Sequence, residues 1–420
     1  MPWKVSGVVE KRRLFVEQWL SEEWTVTELC GRHGISRQAG YNTLARYQRE
    51  GWKGLETRSR APHGHPNQMS GATEQQIVEL RQAHMRWGPR KLKVVLEREQ
   101  SEGTWPAAST IGELLRREGL VMARKKRHRM DPYTTPFASA SEPNRVWCGD
   151  FKGWSRTQNG ERIDPLTISD ACTRYLLRCQ AVEKMDTARV QAIFEAGFRE
   201  YGLPEAIRTD NGAPFASRAI AGLSRLALWW MKLGIVPERI QPAHPEQNGR
   251  HERMHLTLQQ ETMSPMAANR RSQQRRFDQF RSEYNQQRPH EALAMRTPES
   301  CYTASPRPYP ARVSEPEYDS SMTVRRVFAA GQFSWKHHDV FVSETLMGER
   351  IGLQPIDDRW YTIYFAEFPV GRFDSRTRTV HRLPPAPGFY TADAGEGEPP
   401  PSPAPHPLNP DQKLSTMSPV

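Results

Sequence analysis

Three acidic residues stand where a carboxylate is hard to accommodate without a partner. Asp150 interrupts the apolar run Val146-Trp147-Cys148-Gly149-Asp150-Phe151. Asp210 closes the stretch Ala206-Ile207-Arg208-Thr209 and is followed by Asn211-Gly212, a turn that exposes a carboxylate at a sheet edge. Glu252 follows Pro245-Glu246-Gln247-Asn248-Gly249, in the first turn of an expected helix. A charge in a buried strand is costly unless it is paired or bound to a cation. Hard divalent ions such as Mg²⁺ favour oxygen ligands of this kind and keep waters for exchange. Two such ions, about 3.5–4 Å apart, can activate an attacking oxygen and stabilise a departing one at phosphorus. Asp170 also ends a strand-like run, but reads as structural, with Arg174 as its partner.

A second pattern overlaps the third acid. His251-Glu252-Arg253-Met254-His255 is a literal His-Glu-x-x-His, the zinc-protease signature, with both histidines on one helix face. Its flanks are polar, Arg253 puts a cation beside the supposed zinc, and no third ligand helix follows. Two surface histidines beside DNA phosphates is the preferred reading. No glycine-rich phosphate loop occurs, so no nucleotide cofactor is expected.

These residues need elements to position them. Segment 146–152 reads as a strand, 166–170 as a second and 175–182 as a third. Apolar spacing predicts a helix over 187–201, then a short buried strand at 206–209, a helix at 217–233, a strand at 235–240, and helices from 250 and over 273–284. Three strands, helix, strand, helix, strand, helices is the order of a ribonuclease-H-like core; a doubly wound fold would alternate from the start. Ahead of it, 8–20 reads as a helix, Thr25 can cap a second, Gly34 supplies a turn plugged by Ile35, and Ser36 caps a third carrying Tyr41, Leu44 and Tyr47 on one face. That is the pattern of a helix-turn-helix, offering Arg37, Gln38, Asn42 and Arg46 to a groove, although plain helical bundles use similar pairs. A Pro/Gly/His linker leads to a second helical stretch, EQQIVELRQAHMR, PRKLKVVLERE and ASTIGELLRREGL, with Pro89 suited to a helix start and Ser109 or Thr110 to a cap. It ends in the basic run 124–129, where Lys125, Lys126 and Arg127 fit a phosphate-gripping arm, a nuclear address or a solvated hinge. Five short strands over about 322–382 suggest a small β-barrel. The Pro-rich tail should be disordered.

The expected domains are 1–57 (helix-turn-helix), 70–130 (second helical DNA-binding unit), 142–302 (α/β core), 318–383 (β-barrel) and 384–420 (tail). The chain has 420 residues and a formal charge of +11, most of it ahead of residue 131, which points to an anionic partner for the front end. Five scattered cysteines without a CxxC pair argue against a disulfide framework and fit a reducing cytoplasm. Neither a signal core nor a membrane-length apolar stretch is visible, so no membrane partner is expected.

The stretches VWCGDFKGW, AIRTDNGAPF and HPEQNGRHERMHLTL, followed by YNQQRPHEAL and TP, resemble the integrase-core transposases of bacterial insertion sequences, relatives of retroviral integrases with a DDE triad. The resemblance covers about 142–302. It implies that Asp150, Asp210 and Glu252 are the catalytic metal ligands, with two Mg²⁺ (or Mn²⁺) ions as cofactor. It also implies nicking at transposon ends and transfer of the freed 3′-hydroxyl into target DNA, with no covalent protein–DNA intermediate. The partners would be double-stranded DNA and further copies of the chain, at the bacterial nucleoid. Asp210 and Glu252 stand roughly 40 residues apart, where many relatives have about 35. An enlarged helix at LSRLALWWMKLG would absorb the difference, and Glu246 is the reserve third carboxylate. Lys152, Arg208 and His244 are candidates to hold phosphates. A DNA-binding regulator with an inactive core and the zinc protease are the alternatives.

Overall fold

The computed structural model describes residues 7–58, 69–100, 103–121, 140–217, 219–240 and 249–383. Lys125, Lys126, Arg127, His244, Glu246, the Pro/Gly/His linker and the Pro-rich tail fall outside them. The chain divides into two units, Met1–Gly71 and Ala72–Val420.

The first unit holds α1 (Val8–Leu20), α2 (Val26–His33) and α3 (Arg37–Glu50). Thr25 and Glu28 form a reciprocal capping box on α2, Gly34 ends it in the left-handed conformation (φ 63°), and Ser36 Oγ accepts from the Ala39 amide at 3.2 Å. Phe15, Val16, Leu29, Cys30, Leu44 and Leu55 make the core. Two expectations fail. Tyr41 is 56% exposed and Ile35 is exposed, because Gly40 is the buried contact of α3: a Cβ there would run into Cys30 Sγ. The inward face is therefore Gly40, Leu44 and Tyr47, and Tyr41 is turned about 100° off it.

The second unit opens with α4 (Gly71–Ala83), α5 (Pro89–Glu99) and α6 (Ala108–Arg117). Pro89 stands in the first turn of α5, while α6 is capped at Ala107 rather than by Ser109 or Thr110. The core follows: β1 (Val146–Phe151), β2 (Ser155–Arg156), β3 (Arg162–Asp170), β4 (Leu176–Val182), α7 (Thr187–Tyr201), β5 (Ala206–Thr209), α8 (Arg225–Lys232), β6 (Val236–Arg239), α9 (Gly249–Thr262) and α10 (Arg270–Gln286). β4, β3 and β1 pair antiparallel, and β1, β5 and β6 parallel, which is the ribonuclease-H-like order. Trp147, Leu166, Phe194, Phe198, Ile207 and Trp230 bind one face to α7 and α8; Ile163, Leu176, Met254, Leu258 and Phe277 bind the other to α9 and α10. Covered on both faces, β3 is buried almost throughout, its polar Asp164, Thr167 and Asp170 included. The helical segment before the core leans on its last helices: Arg86 donates to Gln260 Oε1 at 2.9 Å, and Arg98 to the Gln287 carbonyl at 3.2 Å.

The helix expected over 217–233, and expected to be enlarged, is the eight-residue α8, capped by Ser224. Ala216 and Leu223 form a β-bridge ahead of it, and Ile220 and Leu223 turn toward the C-terminal strands.

Those strands number seven: β7 (Thr323–Arg326), β8 (Gln332–Trp335), β9 (His338–Phe341), β10 (Arg350–Pro355), β11 (Trp360–Phe365), β12 (Phe368–Asp374) and β13 (Thr379–His381). They form a five-stranded sheet, β13-β12-β11-β10-β7, and a separate β8–β9 hairpin that lies against β7 and β13, its two edges. The barrel expectation becomes two hydrogen-bonded sheets around one core. The hairpin turns on Lys336 and His337, both with positive φ (48° and 64°), without the glycine or asparagine that marks such turns in sequence. Val327, Phe333, Phe365 and Phe373 share a continuous core with Ile220, Leu228 and Met231, so the strands are packed onto α8. Among the described residues no helix is long and apolar enough to cross a membrane.

Candidate active site

β1 enters the middle of the sheet, so its residues are flanked on both sides. Asp150 faces Thr167 of β3 across an antiparallel pair, and Gly149 pairs with Thr209 of parallel β5. The next residue along β5 is Asp210, so the two aspartates emerge side by side at one end of adjacent strands. Gly149 keeps β1 close to α7: a Cβ there would stand 2.9 Å from Phe194 Cζ. Asp210 Oδ1 accepts from the Gly212 amide at 3.2 Å, and Asn211 Nδ2 anchors the turn on the Ile240 carbonyl at 3.0 Å. Burial raises the Asp210 pKa above the usual aspartate value, and the Gly212 amide only partly offsets it. The charge of a half-hidden carboxylate that burial disfavours is one that a bound cation would stabilise.

α9 crosses the same end of the sheet. Its inward face carries His251, Met254, His255 and Leu258, all buried. Both imidazole Nε2 atoms hydrogen-bond Thr167 Oγ1, at 2.6 Å from His251 and 2.7 Å from His255. One hydroxyl can donate to one ring and accept from the other. The same oxygen lies 3.3 Å from the Asp150 carbonyl, and Ser169 Oγ 3.3 Å from His251 Nδ1. Burial pushes His251 down to about 4. His255 falls to about 2, from burial first, then the charges of His251 and Lys152. Both rings are therefore neutral at neutral pH. The expectation of surface histidines is corrected, since they are 4% and 5% exposed. The i, i+4 spacing was the signal that could have placed them inside.

Glu252 sits in the first turn of α9 on its exposed side. Successive helical residues rotate by about 100°, so a helix that turns His251 and His255 inward turns Glu252 off that face. Ligand atoms of Asp150, His251 and His255 lie within 4.8 Å of one another; neither Asp210 nor Glu252 joins that group. The structure thus brings the two aspartates to one sheet end and leaves Glu252 on the solvent side of the neighbouring helix. Arg208 pairs with Glu238 across β5 and β6 at 2.6 Å, and Lys152 lies close enough to repel a proton on His255. Asp170 is structural, but its carboxylate accepts from the Asn144 amide, the Thr173 amide and the Thr173 hydroxyl, at 2.8, 2.7 and 2.6 Å, where Arg174 had been expected. In the first unit Arg37, Gln38 and Asn42 are exposed on α3, while Arg46 donates to the Glu56 carbonyl at 2.7 Å.

Residues 140–245 match the integrase core domain family, and 233–298 a second integrase core domain family. The chain is 31% identical over 231 residues to an uncharacterized 31.7 kDa protein of insertion element IS407 from Burkholderia multivorans, covering 54% of this chain and 79% of that one. The chain belongs to the integrase-core proteins of bacterial insertion sequences. Another member, an uncharacterized 39.2 kDa protein of insertion element IS476 from Xanthomonas euvesicatoria, is 28% identical over 254 residues, 60% of this chain and 70% of that one. Residues 11–63 match a helix-turn-helix domain and 39–115 a homeodomain-like domain. Among solved structures, the simian T-cell lymphotropic virus intasome aligns over 70% of this chain and 97% of that chain, at 14% identity and a TM-score of 0.34. The HTLV-2 integrase catalytic core in complex with magnesium aligns over 38% and 97%, at 14% identity and a TM-score of 0.31.

Proposed function

We propose that this integrase-core protein is a DNA transposase that nicks transposon ends and joins the freed 3′-hydroxyl to target DNA. The observation that carries the reading is the pair Asp150 and Asp210, side by side at one end of parallel strands in the middle of the sheet. Asp150 and Asp210 would hold Mg²⁺ or Mn²⁺; Glu252, on the solvent side of α9 in this structure, would join them as the third carboxylate only once α9 turns it toward the sheet. The half-buried Asp210 carboxyl, whose charge burial disfavours, fits the role of a metal ligand. Two ions bound there would supply activation of the attacking oxygen and charge stabilisation of the leaving one. No side chain acts as the nucleophile, which is water in nicking and a DNA hydroxyl in joining. The protein's own contribution is to hold the two aspartates in register through β1 and β5, while the Thr167–histidine contacts seat α9 on the sheet.

Arg37, Gln38 and Asn42 on α3 would read a DNA groove, with the segments 1–57 and 70–130 together recognising the element's ends. The strands over 318–383 would bind DNA without sequence preference or bridge copies of the chain, which must gather at least two ends. Such a protein acts in the bacterial cytoplasm. The zinc-protease reading is disfavoured because Glu252, its general base, lies on the exposed side of α9, turned away from the two histidines.

The test is nicking of a labelled transposon end in Mg²⁺ or Mn²⁺. Asp150→Asn should reduce nicking by at least about a thousandfold, the order expected when a metal ligand is lost, while the shifted DNA band persists. A chain that shifts DNA but never cuts it under either ion is a regulator, and the reading fails.

A further inference from the structure

The two imidazoles of the His-Glu-x-x-His stretch serve the phosphoryl-transfer reading only by seating α9, yet they converge on the same aspartate. His251 and His255 lie one turn apart on α9, both buried, with ring centroids 4.6 Å apart and edge to face. His255 Nδ1 stands 3.9 Å from Asp150 Oδ2, and one ligand atom from each of the three residues falls within 4.8 Å of the other two. Among the described residues no other group of three or more His, Cys, Asp or Glu side chains is gathered this closely. We propose that Asp150, His251 and His255 form a site for a divalent transition-metal ion that accepts imidazole nitrogen, Zn²⁺ or Co²⁺ rather than Mg²⁺.

The donor set makes the distinction. Mg²⁺ takes oxygen ligands in an octahedron, whereas two imidazoles and one carboxylate suit Zn²⁺ or Co²⁺ and leave a fourth position open. The geometry is close to what such an ion requires. Ligands on a tetrahedral ion with bonds of about 2.0–2.1 Å lie about 3.4 Å apart, so the 3.9 Å between Nδ1 and Oδ2 must close by about 0.5 Å, and the wider separations in the group, all within 4.8 Å, by up to about 1.4 Å. Side-chain rotation of Asp150 and of the two imidazoles would have to supply that closure. The surrounding hydroxyls orient the rings as outer partners do in metal sites: Ser169 Oγ faces His251 Nδ1, which leaves Nε2 as that ring's ligand, while His255 turns Nδ1 toward Asp150. Thr167 Oγ1, now shared by both Nε2 atoms, would release His251 when an ion enters and keep its contact with His255. Because Asp150 is also assigned to the phosphoryl-transfer centre, an ion held here would withdraw that carboxylate from it. This consequence rests on the proposed function; the binding itself does not.

The full chain, stripped of metal with a chelator, is titrated with Zn²⁺ by calorimetry in excess Mg²⁺. The expected result is one Zn²⁺ per chain, held despite the Mg²⁺, with affinity at least about tenfold weaker in His255→Asn and in Asp150→Asn. X-ray absorption of the zinc-loaded, unaltered chain should show two imidazole nitrogens at about 2.0–2.1 Å, a readout that stands even if the variants fail to fold. Absence of stoichiometric binding, an unchanged affinity in folded His255→Asn, or a zinc shell without imidazole would overturn the assignment. None of these readings uses DNA, so failure of the transposase reading leaves the test intact.

Discussion

The imidazoles under α9 make a quantitative prediction about acid. In the folded chain His251 titrates at about 4, against 6.5 for an unperturbed histidine. Its folded value is depressed, so the unfolded state takes up the proton first. The stability that this neutral histidine contributes is full above about pH 6.5 and is lost as pH falls toward 4. Each pH unit inside that window removes about 1.4 kcal/mol per proton, so lowering pH from 7.5 to 5.0 should cost about 2 kcal/mol through His251. His255 and His290, also pushed down by burial, add to the total slope, and a single variant separates the His251 share. In His251→Gln, whose amide can still reach Thr167, the difference in urea-unfolding free energy between pH 7.5 and 5.0 should shrink by about 2 kcal/mol relative to the parent. The measurement is tryptophan fluorescence against urea at several pH values, with a metal chelator present. Parallel pH profiles for parent and variant would refute the placement of His251 in a dry, neutral pocket.

Two further outcomes follow from packing. Gly149→Ala should destabilise the chain by about 1–3 kcal/mol in urea, because the new methyl would crowd Phe194 Cζ, 2.9 Å from its ideal position, beside Asp150. Phe333→Ala should cost about 3–5 kcal/mol and move the unfolding of α8 together with the C-terminal strands, since Phe333 shares a core with Leu228 and Met231; two separated transitions would contradict that shared core.

Much of the core was legible because burial on both faces leaves a strong pattern. The apolar run of β1, the 3.6-residue spacing of α7 and the caps Thr25 and Ser36 are local signals, and each element lies where its residues put it. Other elements escaped for identifiable reasons. The β8–β9 hairpin turns on Lys336 and His337, residues that carry no turn signature. The region ahead of α8 reads as apolar helix, but Ile220 and Leu223 are apolar because they enter the C-terminal core. Tyr41 looked like a core residue until Gly40 proved to be the point of close approach.

By itself the chain's order of residues singled out Asp150 and Asp210 as carboxylates in or at the end of a buried strand; Asp170 carries the same signature, and only the fold shows it satisfied by Asn144 and Thr173. The order of residues also determined the helix-turn-helix, whose caps and glycine act within a few residues of one another. The rotation of α9 could be decided only in three dimensions. Whether His251 and His255 or Glu252 faces the sheet depends on how Met254 and Leu258 pack against β3 and β4, and on Thr167, some 84 residues away, accepting both rings. Periodicity marks which residues share a helical face; contacts far apart in the chain select the face that is buried.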